Sequence, residues 1–161
     1  MITTERLREL FDYLPETGEL VRKVTTSHNA LAGSVAGTKV GGRVFVGVDG
    51  KKYRAHRLIW MWHGHDLPDR LDHRNREPMH NRIQNLRPCT NEQNGWNAKL
   101  SKANTSGVKG VSWNSLSSNW RVRIRVSGRN ISVGCFGDFE LAELVSIEAR
   151  AKFHGDFANA H

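Results

Sequence analysis

Hydrophobic positions in the first part of the chain follow two different spacings. The three valines within residues 44–48 alternate with other residues up to Asp49-Gly50, and a second short stretch follows from Lys52. Alternation around an Asp-Gly pair predicts a β-hairpin. The apolar run within His56–His63 predicts a short buried helix. This part of the chain is therefore expected to be rich in β-structure, with a helix at its end.

The centre of the chain predicts two short strands followed by a helix. Arg70–His73 is the first predicted strand, and Asn85–Arg87 is expected to return antiparallel to it. Thr90 precedes Gln93 by three residues, which is the spacing of a capping box at the start of a helix. We expect this β-β-α unit to span about residues 68–99.

The last third of the chain predicts a three-stranded antiparallel sheet and a helix, which makes the whole chain α+β. Along Trp120–Val126, arginines alternate with apolar residues, so one face of that strand is apolar and the other is basic. Two further strands are predicted at 108–113 and 130–136. A helix is predicted from about Glu140 to Phe153, with its apolar face formed by Leu141, Leu144, Val145, Ala149 and Phe153.

Positive charge is concentrated in one segment of the chain. The 161 residues have a formal net charge of +8 and a pI of about 10.0. Residues 93–137 contain seven Lys or Arg and no Asp or Glu, so this segment carries most of the excess. Such a segment predicts a polyanionic partner, and double-stranded DNA is the partner we expect. A membrane is not expected as a partner, because no stretch approaches the roughly 18 apolar residues of a spanning helix.

Two further features narrow the class of protein. Cys89 and Cys135 are the two cysteines, which argues against a disulfide framework and against a four-cysteine site, so no structural zinc is expected. The N-terminus lacks the basic-then-apolar pattern of a secretion signal, and we therefore expect a cytoplasmic protein.

The most informative stretch is Leu71–Asn97, which reads LDHRNREPMHNRIQNLRPCTNEQNGWN. It contains an Asp-His pair followed at fixed spacing by two asparagines, Asn85 and Asn94. Hydrolysis of a phosphodiester needs a hard cation held by oxygen ligands and a base that deprotonates water, and these side chains supply both. The stretch resembles the HNH endonuclease motif, in the form found in phage and intron-associated homing endonucleases.

The HNH resemblance implies a role for each of four residues. Asp72 and Asn94 would be the ligands of one divalent ion, with Mg²⁺ or Mn²⁺ expected. His73 would be the general base, and Asn85 would orient His73 by contacting its imidazole or a neighbouring carbonyl. The letters of HNH stand for the three residues of the motif, and Asn94 occupies the third position, where the name gives histidine.

Neighbouring residues are given smaller roles. His56 is expected to help build the core near the site. Asn75 and Asn81 are expected to form turns around Pro78, and Arg82 is expected to contact the phosphate backbone.

The segment from GVKGVSW through WRVRIRV to SVGCFGDFELAELVSIEARAKFHGDFA resembles the AP2 DNA-binding domain. The resemblance implies a three-stranded sheet that is backed by a helix and lies in the DNA major groove. The DNA-contacting residues that it and the charge pattern indicate are Arg121, Arg123, Arg125, Arg129, Trp113 and Lys109.

Together these features predict a metal-dependent HNH endonuclease of a phage or other mobile element, of a nicking or homing type. We expect residues 1–99 to form the nuclease domain, 100–107 a flexible linker and 108–161 an AP2-like domain. One site per chain predicts that a monomer nicks one strand, and that cutting both strands needs a weak homodimer or two successive visits. A non-catalytic DNA-binding regulator that keeps the HNH scaffold remains the main alternative, and a nuclease that acts on RNA or structured DNA is another.

Overall fold

The computed structural model describes residues 2–161, and its contacts divide the chain into two units, one that extends to Cys89 and one that spans Thr90–His161. Both units combine short helices with antiparallel sheets of two or three strands, as expected for an α+β protein. No helix within residues 2–161 is long and apolar enough to cross a membrane.

The first unit contains two helices and three small sheets. The strands pair antiparallel as β1-β2, β3-β4-β5 and β6-β7. The core between them is formed by side chains such as Leu7, Leu20 and Leu58, which are 0–2% exposed. In chain order the elements are α1 (Thr4–Leu10), β1 (Phe11–Leu14), β2 (Glu19–Arg22), β3 (Thr38–Val40), β4 (Arg43–Val48), β5 (Lys51–Arg54), α2 (Ala55–Trp62), β6 (Leu71–His73) and β7 (Leu86–Pro88).

The hairpin predicted around Asp49-Gly50 is present as β4 and β5, which pair Val48 with Lys51. Both turn residues have positive φ, 46° and 76°, as the two-residue turn of a hairpin requires. The buried helix predicted after it is α2, in which Leu58 and Ile59 are fully buried.

The strands that carry the motif, β6 and β7, pair with a register that places Asp72 opposite Arg87 and His73 opposite Leu86. Each strand has three residues and lies within one position of its predicted bounds at either end. The register places the buried carboxylate of Asp72 opposite the buried guanidinium of Arg87.

The second unit is a three-stranded antiparallel sheet with two helices. The strand order is β10-β9-β8, so the longest hairpin is formed by the two strands that flank Ser127-Gly128. The second helix packs on the apolar face of the sheet, where Val122 and Ile124 are buried. The elements are α3 (Asn91–Asn97), β8 (Val111–Asn114), β9 (Asn119–Val126), β10 (Arg129–Phe136) and α4 (Phe139–His154).

The predicted apolar face of α4 is wrong. Leu141 and Leu144 are 47% and 53% exposed, and the buried positions are Ala142, Ser146, Arg150 and His154. Three of these four buried residues are polar, and they satisfy backbone groups: the Ser146 hydroxyl, for example, donates to the carbonyl of Lys109 at 2.7 Å.

Helix α3 belongs to the second unit and is held there at both ends. The predicted capping box is present, with Thr90 and Gln93 satisfying each other's backbone N–H groups. At the other end, the carbonyl of Ala98 accepts hydrogen bonds from the Lys109 ammonium and the Asn159 amide. The division of the chain at 89/90 therefore precedes α3, whereas the predicted boundary at 99/100 follows it.

The segment predicted to be a flexible linker, 100–107, is tied to its surroundings. The Asn104 side chain donates to the carbonyl of Val108 and accepts from the N–H of Gly107. The Ser106 hydroxyl lies 2.9 Å from the carbonyl of Val111. These bonds hold the segment against the start of the sheet.

Gly18, between β1 and β2, makes a close backbone contact that positions a loop near the motif. Its φ is 75°, and a Cβ built there would lie 2.3 Å from the backbone nitrogen of Arg82 and 2.5 Å from the carbonyl carbon of Asn81. The hydroxyl of Tyr13 on β1 accepts from the N–H of Ile83 at 2.9 Å. The β1-β2 hairpin therefore supports the backbone of residues 81–83.

Gly18→Ala should destabilise the protein more than Gly33→Ala. Both glycines have positive φ, so each variant loses about 1–2 kcal/mol from backbone strain. Nothing lies within 4 Å of a Cβ at Gly33, whereas at Gly18 the added methyl group meets backbone and costs about 1–3 kcal/mol more. Urea unfolding of the two variants measures the difference, and equal losses would contradict the close contact.

Candidate active site

His73, at the end of β6, is buried and held by one specific side chain. Its Nε2 lies 2.9 Å from Oδ1 of Asn81, and the two residues are 7% and 3% exposed. An amide oxygen only accepts hydrogen bonds, so Nε2 carries the hydrogen and donates it. The lone pair of the neutral imidazole is therefore on Nδ1.

A second imidazole, that of His56 on α2, packs edge-on against His73. The ring centroids are 5.1 Å apart and the planes are 81° apart. Burial, together with the nearby His73 and arginines, lowers the pKa of His56 to about 3. Burial also lowers the pKa of His73, against the opposing effects of the Asn81 hydrogen bond and the Asp72 charge. Both rings are therefore neutral near pH 7, and a neutral ring is the form that accepts a proton.

Asp72 precedes His73 on β6 and forms a buried ion pair with Arg87 of β7. Oδ2 of Asp72 accepts from Nε of Arg87 at 3.0 Å and lies 2.9 Å from its second guanidinium nitrogen. Both side chains are less than a tenth exposed. The Arg87 guanidinium is therefore bound to the Asp72 carboxylate.

Asn85 organises the loop after β6. Its Nδ2 donates to Oδ1 of Asn75 at 2.9 Å and to the carbonyl of His80 at 2.6 Å, and its Oδ1 accepts from the N–H of Asn75. The residue that contacts the His73 imidazole is Asn81, which sequence reasoning treated as a turn former. Asn81 and His73 are eight residues apart across an irregular loop, and no periodic pattern in the sequence marks such a pair.

Asn94 lies in the second unit, in the first turn of α3. Its N–H donates to the carbonyl of Thr90 at 3.0 Å, and its side chain is half-buried. The predicted site residues thus fall into two sets, with Asp72, His73 and Asn85 in the first unit and Asn94 in the second.

The arginines of β9 alternate with buried apolar residues as predicted. Arg123 and Arg125 are exposed and Arg121 is half-buried, with Val122 and Ile124 buried between them. The exposed Arg129 begins β10. The second unit therefore has an open face that carries several guanidinium groups.

The other predicted DNA contacts lie in different surroundings. Trp113, on β8, is 49% exposed and packs edge-on against Trp120 at 5.1 Å. The Lys109 ammonium donates to the carbonyls of Trp96 and Ala98, so its charge is directed to the end of α3. Arg82 is exposed, in the first unit.

The donor set near His73 fits a hard divalent cation. Within residues 2–161, no three His, Cys, Asp or Glu side chains form a group able to hold a metal ion. Mg²⁺ is commonly held by one or two carboxylates together with water and substrate phosphates, so it needs no such group. Asp72 supplies a carboxylate beside His73, and Arg87 already balances part of its charge.

The comparisons with known proteins agree with the motif. A family model described as HNH endonuclease matches residues 53–96, a range that contains Asp72, His73, Asn85 and Asn94. Protein 3.8 of Escherichia phage T7 is 32% identical over 112 residues, which cover 67% of this chain and 90% of the relative. No solved structure matches the chain.

Proposed function

We propose, on the premise that this chain belongs to the HNH endonuclease family, that it hydrolyses phosphodiester bonds in double-stranded DNA with the help of a divalent metal ion. The observation that carries the proposal is a buried, neutral imidazole, His73, next to a buried carboxylate, Asp72. A base and an oxygen ligand at adjacent positions are what phosphodiester hydrolysis needs.

In this proposal His73 is the general base. The Asn81 hydrogen bond occupies Nε2, so Nδ1 is the atom that takes a proton from the attacking water. The depressed pKa keeps the ring ready to accept that proton near pH 7. Asn85 contributes by fixing the loop 75–80, which follows the strand that carries His73.

The metal ion would be held by Asp72. Enzymes of the HNH family generally use a divalent metal ion, and a carboxylate suits Mg²⁺ or Mn²⁺. When bound, such an ion supplies Lewis-acid stabilisation of charge on the phosphate and on the departing oxygen. The assignment of Asn94 as a second ligand comes from the motif and stays a prediction.

We propose that residues 108–161, within the second unit, form an AP2-like DNA-binding domain. Three features support this: the three-stranded antiparallel sheet, the helix packed on its apolar face, and the arginines on its other face. Arg121, Arg123, Arg125 and Arg129 would contact phosphates and base edges, with Trp113 beside them. Lys109 and Arg82 are kept as predicted contacts.

The proposal includes a nicking or homing role for a phage-encoded protein. One proposed centre per chain means that a monomer cuts one strand at a time, and cutting both needs a dimer or two successive visits. The phage relative supports an origin in a mobile element that acts in the infected cell.

The cleavage reaction is tested on supercoiled plasmid that carries sequence from the source genome. The wild-type protein should convert it to open circles with Mg²⁺ or Mn²⁺ and not with EDTA. His73→Ala should lose about 100-fold or more of the rate, because a general base contributes about 10²–10⁴-fold. His65→Ala, at an exposed histidine, is the matched control and should keep the wild-type rate.

Two results would contradict the assignment. Undiminished cutting by His73→Ala would remove His73 from the reaction. An intact plasmid together with a clear gel shift, whether or not metal is present, would favour the DNA-binding regulator.

The DNA-binding face is tested by its salt dependence. Replacing Arg121, Arg123 and Arg125 together with Gln should weaken binding and reduce the slope of log K against log salt by about two to three, since each phosphate contact contributes about one. Lys152→Gln, at an exposed position on α4, is the control and should leave the slope nearly unchanged. A triple variant with the wild-type slope would mean that the DNA lies elsewhere.

A further inference from the structure

We propose that Asn81 is a positioning residue for His73, and that its side-chain oxygen fixes which imidazole nitrogen acts as the base. The proposal rests on the proposed function and deepens it. The motif resemblance gives the orienting role to Asn85, whereas the geometry points to Asn81.

The hydrogen bond is specific and shielded from water. The 2.9 Å contact joins Nε2 of His73 to Oδ1 of Asn81, and both residues are more than nine-tenths buried. In such a place no water replaces a lost partner, so an Nε2–H without an acceptor is costly. The ring is therefore held with Nε2–H towards Asn81 and the Nδ1 lone pair on the other side.

The acceptor is itself held from several directions. The backbone of Asn81 lies against Gly18, where a Cβ would come within 2.5 Å of its carbonyl carbon. Two residues after Asn81, the backbone of Ile83 is fixed by the bond from its N–H to the Tyr13 hydroxyl. The residue before it is fixed by the bond from Asn85 to the carbonyl of His80. Asn85 thus acts on the loop, and Asn81 makes the contact with the base.

His56 supplies the second constraint on the ring. The His56 ring packs edge-on against the His73 ring at a centroid distance of 5.1 Å, and both residues are buried. Packing alone does not distinguish the two nitrogens of an imidazole, because the ring has nearly the same shape after a half-turn. The Asn81 oxygen makes that distinction, since one orientation gives it a donor and the other does not.

The hydrogen bond is tested directly by nuclear magnetic resonance of the full chain with ¹⁵N-labelled histidine. In the wild type the Nε2–H of His73 should give a signal that exchanges slowly with water. Asn81→Leu keeps a similar volume without an acceptor, and the signal should be lost. Asn81→Asp keeps an acceptor oxygen at the same place, and the signal should return.

Kinetics on the plasmid substrate test the consequence. Asn81→Leu should lower kcat by about 10- to 100-fold, which is part of what a general base contributes, and leave KM within a few-fold. Asn81→Asp should recover much of the loss. Met79→Ala is the matched control, because Met79 belongs to the same loop and its side chain is 45% exposed. It should keep the Nε2–H signal and most of kcat.

The outcomes separate this proposal from the proposed function. A slowly exchanging signal and a wild-type kcat in Asn81→Leu would overturn the positioning role. Equal damage from Met79→Ala would overturn it too, because the effect would then belong to the loop. If the signal depends on Asn81 but the wild-type protein never cuts DNA, the positioning of the imidazole stands and the nuclease proposal fails.

Discussion

The buried ion pair between Asp72 and Arg87 is the interaction on which the site depends. It joins β6 to β7 at directly opposed positions, so it fixes the register of a ribbon that has only three residues in each strand. Removing one partner of a buried pair leaves the other charge buried without compensation and costs about 3–5 kcal/mol. A shift of the β6-β7 register by one residue would also separate the two charges. The ion pair therefore fixes the position of His73 as well as that of the Asp72 carboxylate.

Burial and pairing also keep the site close to electrically neutral before substrate arrives. The two imidazoles are uncharged because burial lowers the pKa of each, and the carboxylate is balanced by a guanidinium. A positively charged imidazole would repel a cation and be unable to accept a proton. Burial therefore leaves His73 in the neutral form that its proposed role as a base requires. In the second unit the charge is arranged differently, with exposed arginines on an open sheet face.

Local signals in the sequence predicted local structure well. The Asp49-Gly50 turn and the Thr90 capping box depend on bonds within a few residues, and both are present. Partners that are far apart, or joined by irregular loops, could not be predicted in this way. The spacing of apolar residues on α4 indicated Leu141 and Leu144, but the buried face is the one on which the Ser146 hydroxyl bonds to the backbone of Lys109, just before β8. The contact between Asn81 and His73 depends on the path of the loop between them.

The most direct test of the account is to map Mn²⁺ on the protein by paramagnetic line broadening in nuclear magnetic resonance spectra, without DNA and without any assay of activity. The account predicts broadening centred on Asp72 and His73 at low Mn²⁺ concentration, and loss of that broadening in a folded Asp72→Asn variant. Broadening centred elsewhere in the chain, or unchanged in the variant, would contradict the claim that this carboxylate holds the metal beside the base.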